Sequence, residues 1–280
     1  MSPDLTALVL TLRPGEAATV PAHLGNAVYA QTLRWLGAHD RAIANAIHDD
    51  DGPTPLTCSG LIGARRTGRD AAHVTPDREY HLRLTGLTPD ISALLAAWAA
   101  SPPAQADLNG TAFTIESATC DPAEDGRAGT ATYADLAAPY LLAREHAARR
   151  VTLRFLTPTS FRSGGMSLPI PLPHLVFGSL ADRWNAYSSV GLSPDTRHFC
   201  RSEVAMNSFE LQSRAMPGKG GSTLPGSVGH ATYIALNNDQ YWRGVLQILA
   251  DFAFYSGVGY RTSVGLGQAC RQAARATAGG

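Results

Sequence analysis

Leu5 to Arg13 carries apolar positions with short polar ones between them, as a largely buried strand does, and Pro14-Gly15 ends it. After Pro21 the period changes. Leu24, Val28 and Trp35 recur at helical spacing with Arg34 at the edge of their face, which predicts a helix over 24–37. Asp40 is placed to cap a second, short helix through Ile43 and Ile47 to His48, stopped by Asp49-Asp50-Asp51-Gly52-Pro53. Strands are predicted over 57–61 and 80–84, with a polar loop carrying Arg65, Arg66 and Arg69 between them. An Ala/Leu/Trp-rich helix over 89–100 and a strand over 111–118 follow. Strand, helix, strand, strand, helix, strand is the order of a ferredoxin-like fold.

The stretch 121–129, with Pro122, Gly126 and Gly129, has the composition of a boundary loop. Beyond it the same order repeats. A strand over 151–155 leads to a helix over 174–187 with Val176, Phe177, Leu180 and Trp184 on one side, and strands follow at 204–213 and 230–236. Met216 to Gly221, with Lys219, is expected to be a hairpin tip. Asp239 caps a last helix running to Tyr255, and a closing strand is expected over 265–271. The chain is therefore expected to be α+β, with two tandem ferredoxin-like domains: 1–140 and 141–280.

Charge separates the halves. Residues 1–140 hold nine basic against sixteen acidic side chains, a net −7, and residues 141–280 hold fourteen against seven, a net +7, although the whole chain sums to zero. All but one of the 23 basic residues are arginine, the residue suited to forked phosphate contacts and to stacking on bases, although an alanine-rich composition points equally to coding bias. Arg149, Arg150, Arg154 and Arg162 gather around the first strand of the second half. Cys58, Cys120, Cys200 and Cys270 are widely spaced and form no C-x-x-C pair, so a reducing cytoplasm is expected, with no zinc knuckle and no disulfide framework. The N-terminus carries no basic-then-apolar leader, and no run reaches membrane-spanning length, so no membrane association is expected.

The densest local signal is the run from Phe254 to Gln268, in which Gly257, Gly259, Gly265 and Gly267 bracket Tyr260 and Arg261. Four glycines so close together ask for positive φ or for close approach of another group to the backbone. The run lacks G-x-x-x-x-G-K-[ST] and a complete G-x-G-x-x-G, and it follows a helix instead of opening one, so a nucleotide cofactor is not expected. A nucleic-acid backbone remains, with Arg261 and Tyr260 for phosphate and stacking contacts; a tight helix-to-strand connection is the plainer alternative. The acidic pairs Asp49/Asp50 and Glu124/Asp125 have the character of solvated turns, and no metal site is expected.

Ser256 to Gly267 resembles the C-terminal glycine-rich motif of the CRISPR repeat-RNA endoribonucleases, the Cas6 family of the RAMP superfamily. Leu156 to Arg162 followed by Leu168-Pro169-Ile170-Pro171 and Val176 to Leu180 agree with it, as does Ile47-His48 ahead of Gly52-Pro53 and Thr57-Cys58-Ser59. The resemblance implies a protein that binds CRISPR repeat RNA (pre-crRNA and crRNA) and cuts it once per repeat without metal or cofactor, leaving a 2′,3′-cyclic phosphate. It implies His48 as the catalytic acid or base, at a helix end where the dipole and the aspartates favour its protonated form. His39, and more distantly His23, are the reserves. Some relatives add a tyrosine and a lysine where this chain has Leu33 and Thr54, so Arg34 and Tyr29 are the expected catalytic helpers. Arg65, Arg66, Arg69, Arg150 and Arg162 are expected to bind RNA together with Gly257, Gly259, Tyr260, Arg261, Gly265 and Gly267. A non-cutting RAMP subunit that holds guide RNA beside other effector subunits is the rival, and a metal-dependent nuclease a third reading. A monomer or weak homodimer is expected.

Overall fold

A computed structural model describes residues 2–49, 52–68, 70–142, 147–217 and 222–272. The chain forms two compact units, Met1–Tyr133 with Arg261–Leu266, and Ala134–Tyr260 with Gly267–Gly280.

In the first unit β1 (Leu5–Pro14) and β2 (Ala18–Pro21) precede α1 (Gly25–His39) and α2 (Arg41–Asp49), which Asp40 caps by accepting the Ala42 amide at 2.7 Å. Then come β3 (Leu56–Cys58), β4 (Arg65–Arg66), β5 (Ala71–Val74), β6 (Tyr80–Gly86), α3 (Pro89–Ala100), β7 (Gln105–Leu108), β8 (Thr111–Thr119) and β9 (Gly129–Ala131). The main sheet runs β3-β6-β1-β8-β7, antiparallel throughout, with β9 also pairing β1. Taking β1, β3, β6 and β8 as the four ferredoxin strands, their spatial order is fourth, first, third, second, with α1 and α3 as the crossovers. Leu8, Leu10, Val28, Leu36, Leu82, Leu84, Leu95 and Phe113 bury their side chains between sheet and helices. Each such residue contributes ~1.5–3 kcal/mol of hydrophobic burial.

In the second unit α4 (Tyr133–Leu141) leads to β10 (Arg150–Thr159), β11 (Phe161–Ser163), β12 (Met166–Leu168), α5 (Pro173–Tyr187), α6 (Thr196–Ser202), β13 (Val204–Pro217), β14 (Thr223–Ala235), α7 (Gln240–Ser256) and β15 (Ala269–Arg271). The sheet order β13-β14-β10-β15 is again second, third, first, fourth. Helices α5 and α7 interlock through Trp184 and Phe252, ring centroids 5.3 Å apart and nearly perpendicular, and Phe177 meets Tyr233 of β14 in the same way at 4.9 Å. Asp239 caps α7 by accepting from the Tyr241 amide at 2.7 Å. The fold is thus two tandem ferredoxin-like units.

Three expectations need correction. The polar loop around Arg65 is not structureless: β4 pairs β5, and β5 pairs β2, in a small three-stranded sheet. The closing strand is only Ala269–Arg271, because Gly265 and Gly267 have φ of 90° and 66° and a 3₁₀ turn occupies Thr262–Val264. The strand expected at 230–236 starts at Thr223, paired along the whole of β13. Lys219, at the expected hairpin tip, lies outside the described residues. Among the described residues no helix is long and apolar enough to cross a membrane.

Candidate nucleic-acid interface

Helix α7 ends at Ser256, and the chain turns through Gly257 (φ 62°) and Gly259 (φ 81°). Its course in the second unit is set by a ladder of main-chain bonds. Val258 N–H donates to Gly267 O at 2.7 Å, Tyr260 N–H to Ser160 O at 2.8 Å, and Gly267 N–H to Pro158 O at 3.1 Å. A Cβ on Gly259 would lie 2.4 Å from the Ser160 carbonyl oxygen, so only glycine fits. The Arg183 side chain of α5 reaches beneath this turn. Its guanidinium donates to Gly259 O at 2.7 Å, to Gly257 O at 3.1 Å and, more weakly, to Ser256 O at 3.4 Å. Burial pulls this arginine down to about 10, which leaves it charged at neutral pH. Arg162 of β11 lies over the Tyr260 ring, its guanidinium carbon 4.9 Å from the ring centroid.

The middle of the run, Arg261–Leu266, packs within the first unit. Arg261 sits in the left-handed region (φ 63°, ψ 38°), and its guanidinium donates to Asn26 Oδ1 on α1 at 3.1 Å. Where α1 begins, a Cβ on Gly25 would fall 1.8 Å from Val264 O. A Cβ on Gly265 would fall 2.8 Å from the Gly60 amide nitrogen, just past β3. The glycines thus serve both uses that their density suggested, positive φ and close backbone approach.

The other expected residues are dispersed over named elements. Tyr29 is on α1, partly buried against the core, and burial, with the nearby Cys58, raises its phenol above the ordinary range. Arg34, also on α1, donates to Gln31 Oε1 at 2.6 Å and to Asp107 O at 3.3 Å. Arg65 and Arg66 form exposed β4, where the Arg66 guanidinium lies 3.1 and 3.3 Å from the two ring nitrogens of His23. The His23 imidazole is pushed down by burial first and by Arg66 second. Arg150 opens β10 and lines a cavity of about 460 Å³ with Thr152, Ser208, Thr232 and Arg271. His48 stands in the last turn of α2. Its side chain lies outside the described residues, as do Arg69, Asp50 and Asp51. Asp125 is held by Arg127 at 2.5 Å, which lowers its carboxyl, so it is committed within its own turn.

Arg183 and Asn26 were not picked out by sequence. For Arg183 a signal exists: it falls three residues after Leu180 and beside Trp184, on the buried side of a helix where an arginine needs partners.

Two tandem ferredoxin-like units, the second carrying a glycine-rich C-terminal loop, define the class of fold. Residues 153–269 match the family model described as CRISPR-associated endoribonuclease Cas6. A Cas6 of that description from Mycobacterium tuberculosis is 31% identical over 121 residues, and the match spans 42% of this chain but only 38% of that protein. Among solved structures, a product complex of Thermus thermophilus Cas6 superposes with a TM-score of 0.78 at 25% identity, covering 97% of this chain and 100% of that one. A second Cas6 product complex gives 0.73 at 26% identity over 96% and 99%. The chain is thus similar to Cas6 proteins in sequence over much of its second half and in fold along nearly its whole length.

Proposed function

We propose that the chain is an endoribonuclease that processes CRISPR precursor RNA, cutting within each repeat to release guide RNAs. The observation that carries this reading is the arginine-bearing glycine loop, which lies in the stretch matching the Cas6 family and is set in a fold shared along nearly its whole length with Cas6 product complexes. The reaction needs no metal. The ribose 2′-OH gives up its proton and attacks the adjacent phosphorus; the bond to the 5′ oxygen breaks, that oxygen takes a proton, and a 2′,3′-cyclic phosphate remains. His48, at the C-terminal end of α2 where a cation is favoured, is the proposed proton donor or acceptor. Arg261, on α1 through Asn26, is suited to the charge that builds on the phosphate. Tyr29 keeps its phenolic proton at neutral pH and can donate a hydrogen bond. Arg34 is held by its own neighbours and is the weaker of the two helpers. The second reading, a subunit that holds guide RNA without cutting, is favoured by Leu33 and Thr54 standing where some relatives have tyrosine and lysine.

The test is incubation of the protein with end-labelled repeat RNA in excess EDTA, beside His48→Ala. Cleavage in EDTA ending in a cyclic phosphate, reduced ~10²-fold or more in the variant, is the expected result. Undiminished cutting by His48→Ala would remove His48, and cutting of RNA with a 2′-deoxy sugar at the scissile position would reject the mechanism. Tight binding without cutting would favour the subunit.

A further inference from the structure

Beside the Gly259–Tyr260 turn, within the second unit, lies an open cavity of about 340 Å³. One wall is the Tyr260 ring with the Arg162 guanidinium 4.9 Å above it. A second wall is one face of α5, which carries His174, Ser179 and Asp182, together with Arg197 of α6; the Gly259 amide lies 3.4 Å from Ser179 Oγ. Asp182 Oδ2 accepts from Arg197 Nη2 at 2.5 Å, and this pair is well exposed to water. We infer that this cavity is a pocket for one unpaired nucleotide of the RNA substrate, with the base against the Arg162–Tyr260 platform and its edge read by Asp182 and Arg197.

Three features select this occupant. A planar aromatic beneath a planar cation suits a base, which stacks, better than a phosphate, which does not. The Asp182–Arg197 pair sets an acceptor and a donor side by side, and a base edge also mixes donors with acceptors; a site for phosphate alone gains nothing from a carboxylate. The edge and the face of a base are both accessible only where the base is unpaired. The volume lies in the range of small-ligand pockets. The inference rests on the RNA-processing reading, to which it adds a point of sequence selection that the glycine loop, a backbone device, does not supply.

The experiment is an abasic scan. Repeat RNAs lacking one base at each position in turn are measured for affinity and single-turnover cleavage on the unmodified protein, on Tyr260→Leu and on Asp182→Asn. The expected result is a position where loss of the base weakens the unmodified protein ~5- to 100-fold, the contribution of one base–aromatic stack, and where that loss disappears in Tyr260→Leu. Asp182→Asn should alter the preference among the four bases at the same position and leave every other position unchanged. If RNA is bound and cut but no position shows this coupling, the pocket is refuted while the enzyme stands. If the unmodified protein neither binds nor cuts repeat RNA, the functional reading itself fails. Nitrogen-15 amide shifts at Gly259 and Tyr260 on adding nucleoside monophosphates, without a coupled position in the scan, would give the pocket to a free nucleotide and overturn the assignment. Circular-dichroism melting of both variants guards against misfolding, and if either melts early, Tyr260→Phe, which keeps the stack, must restore the coupling.

Discussion

Replacing Arg183 with methionine removes the guanidinium under the glycine loop while keeping much of its apolar stem. Two of its contacts, 2.7 Å to Gly259 O and 3.1 Å to Gly257 O, are good hydrogen bonds, and the third, 3.4 Å to Ser256 O, is marginal. A bond from a charged donor is worth ~1.5–3 kcal/mol, so the two good ones give ~3–6 kcal/mol before the cost of burying the charge. That cost shows in the fall of its pKa from 12.5 to about 10, which at ~1.4 kcal/mol per tenfold is roughly 3 kcal/mol. Setting ~3–6 against roughly 3 leaves a net loss of ~0–3 kcal/mol on substitution. It falls mainly on Gly259, because the Ser256 hydroxyl still donates to Gly257 O at 2.8 Å. Thermal melting should drop by up to ~10 °C, and repeat-RNA affinity should fall because the loop loses its support. Arg183→Lys, which keeps the charge without the fork, should recover only part of either loss. A methionine variant that melts above the parent, or one that binds RNA equally well, would refute the reasoning.

Gly25→Ala would ordinarily stabilise a helix by up to ~1 kcal/mol. Here the sign reverses, because the new Cβ would meet Val264 O at 1.8 Å; a loss of ~1–3 kcal/mol in chemical denaturation is expected, and a gain would disprove the close packing. His23 is held below 6.5 in the folded chain, so the unfolded chain binds the proton first as pH falls, and this histidine's contribution to stability is present above 6.5 and lost below it. Proton NMR titration should find it below the unperturbed value and find it raised in Arg66→Gln; an unchanged value would break the link to Arg66. Cys58 and Cys200 are buried thiols pushed up to about 12, so native-state alkylation at pH 8, read by mass spectrometry, should spare both until the protein is denatured.

Periodicity exposed the helices and the long strands because each buries a regular stripe: Leu24, just before α1, with Val28 and Leu36 within it, and Val176, Leu180 and Trp184 in α5. The caps were equally plain, since Asp40 and Asp239 do by side chain what their positions announced. The short pieces were silent. Arg65–Arg66 and Ala71–Val74 are too brief to alternate, and they become strands only by pairing with each other and with Ala18–Pro21. Tyr260 and Arg261 stand in a local motif that the spacing of glycines displays, and Arg183 is marked by its place between Leu180 and Trp184; Asn26 and Asp182 become visible only once the chain folds them beside that motif, a contact no spacing encodes.

Of the left-handed positions between residues 257 and 267, only 261 has a side chain. A non-glycine residue there carries ~1–2 kcal/mol of backbone strain. Arg261→Gly relieves that strain and gives up the exposed bond to Asn26, terms of similar size, so the melting temperature should stay within a few degrees of the parent while affinity for RNA falls. The left-handed arginine is thus held at little net cost to the fold, and a loss of RNA affinity without a matching loss of stability would measure what its side chain gives to binding alone.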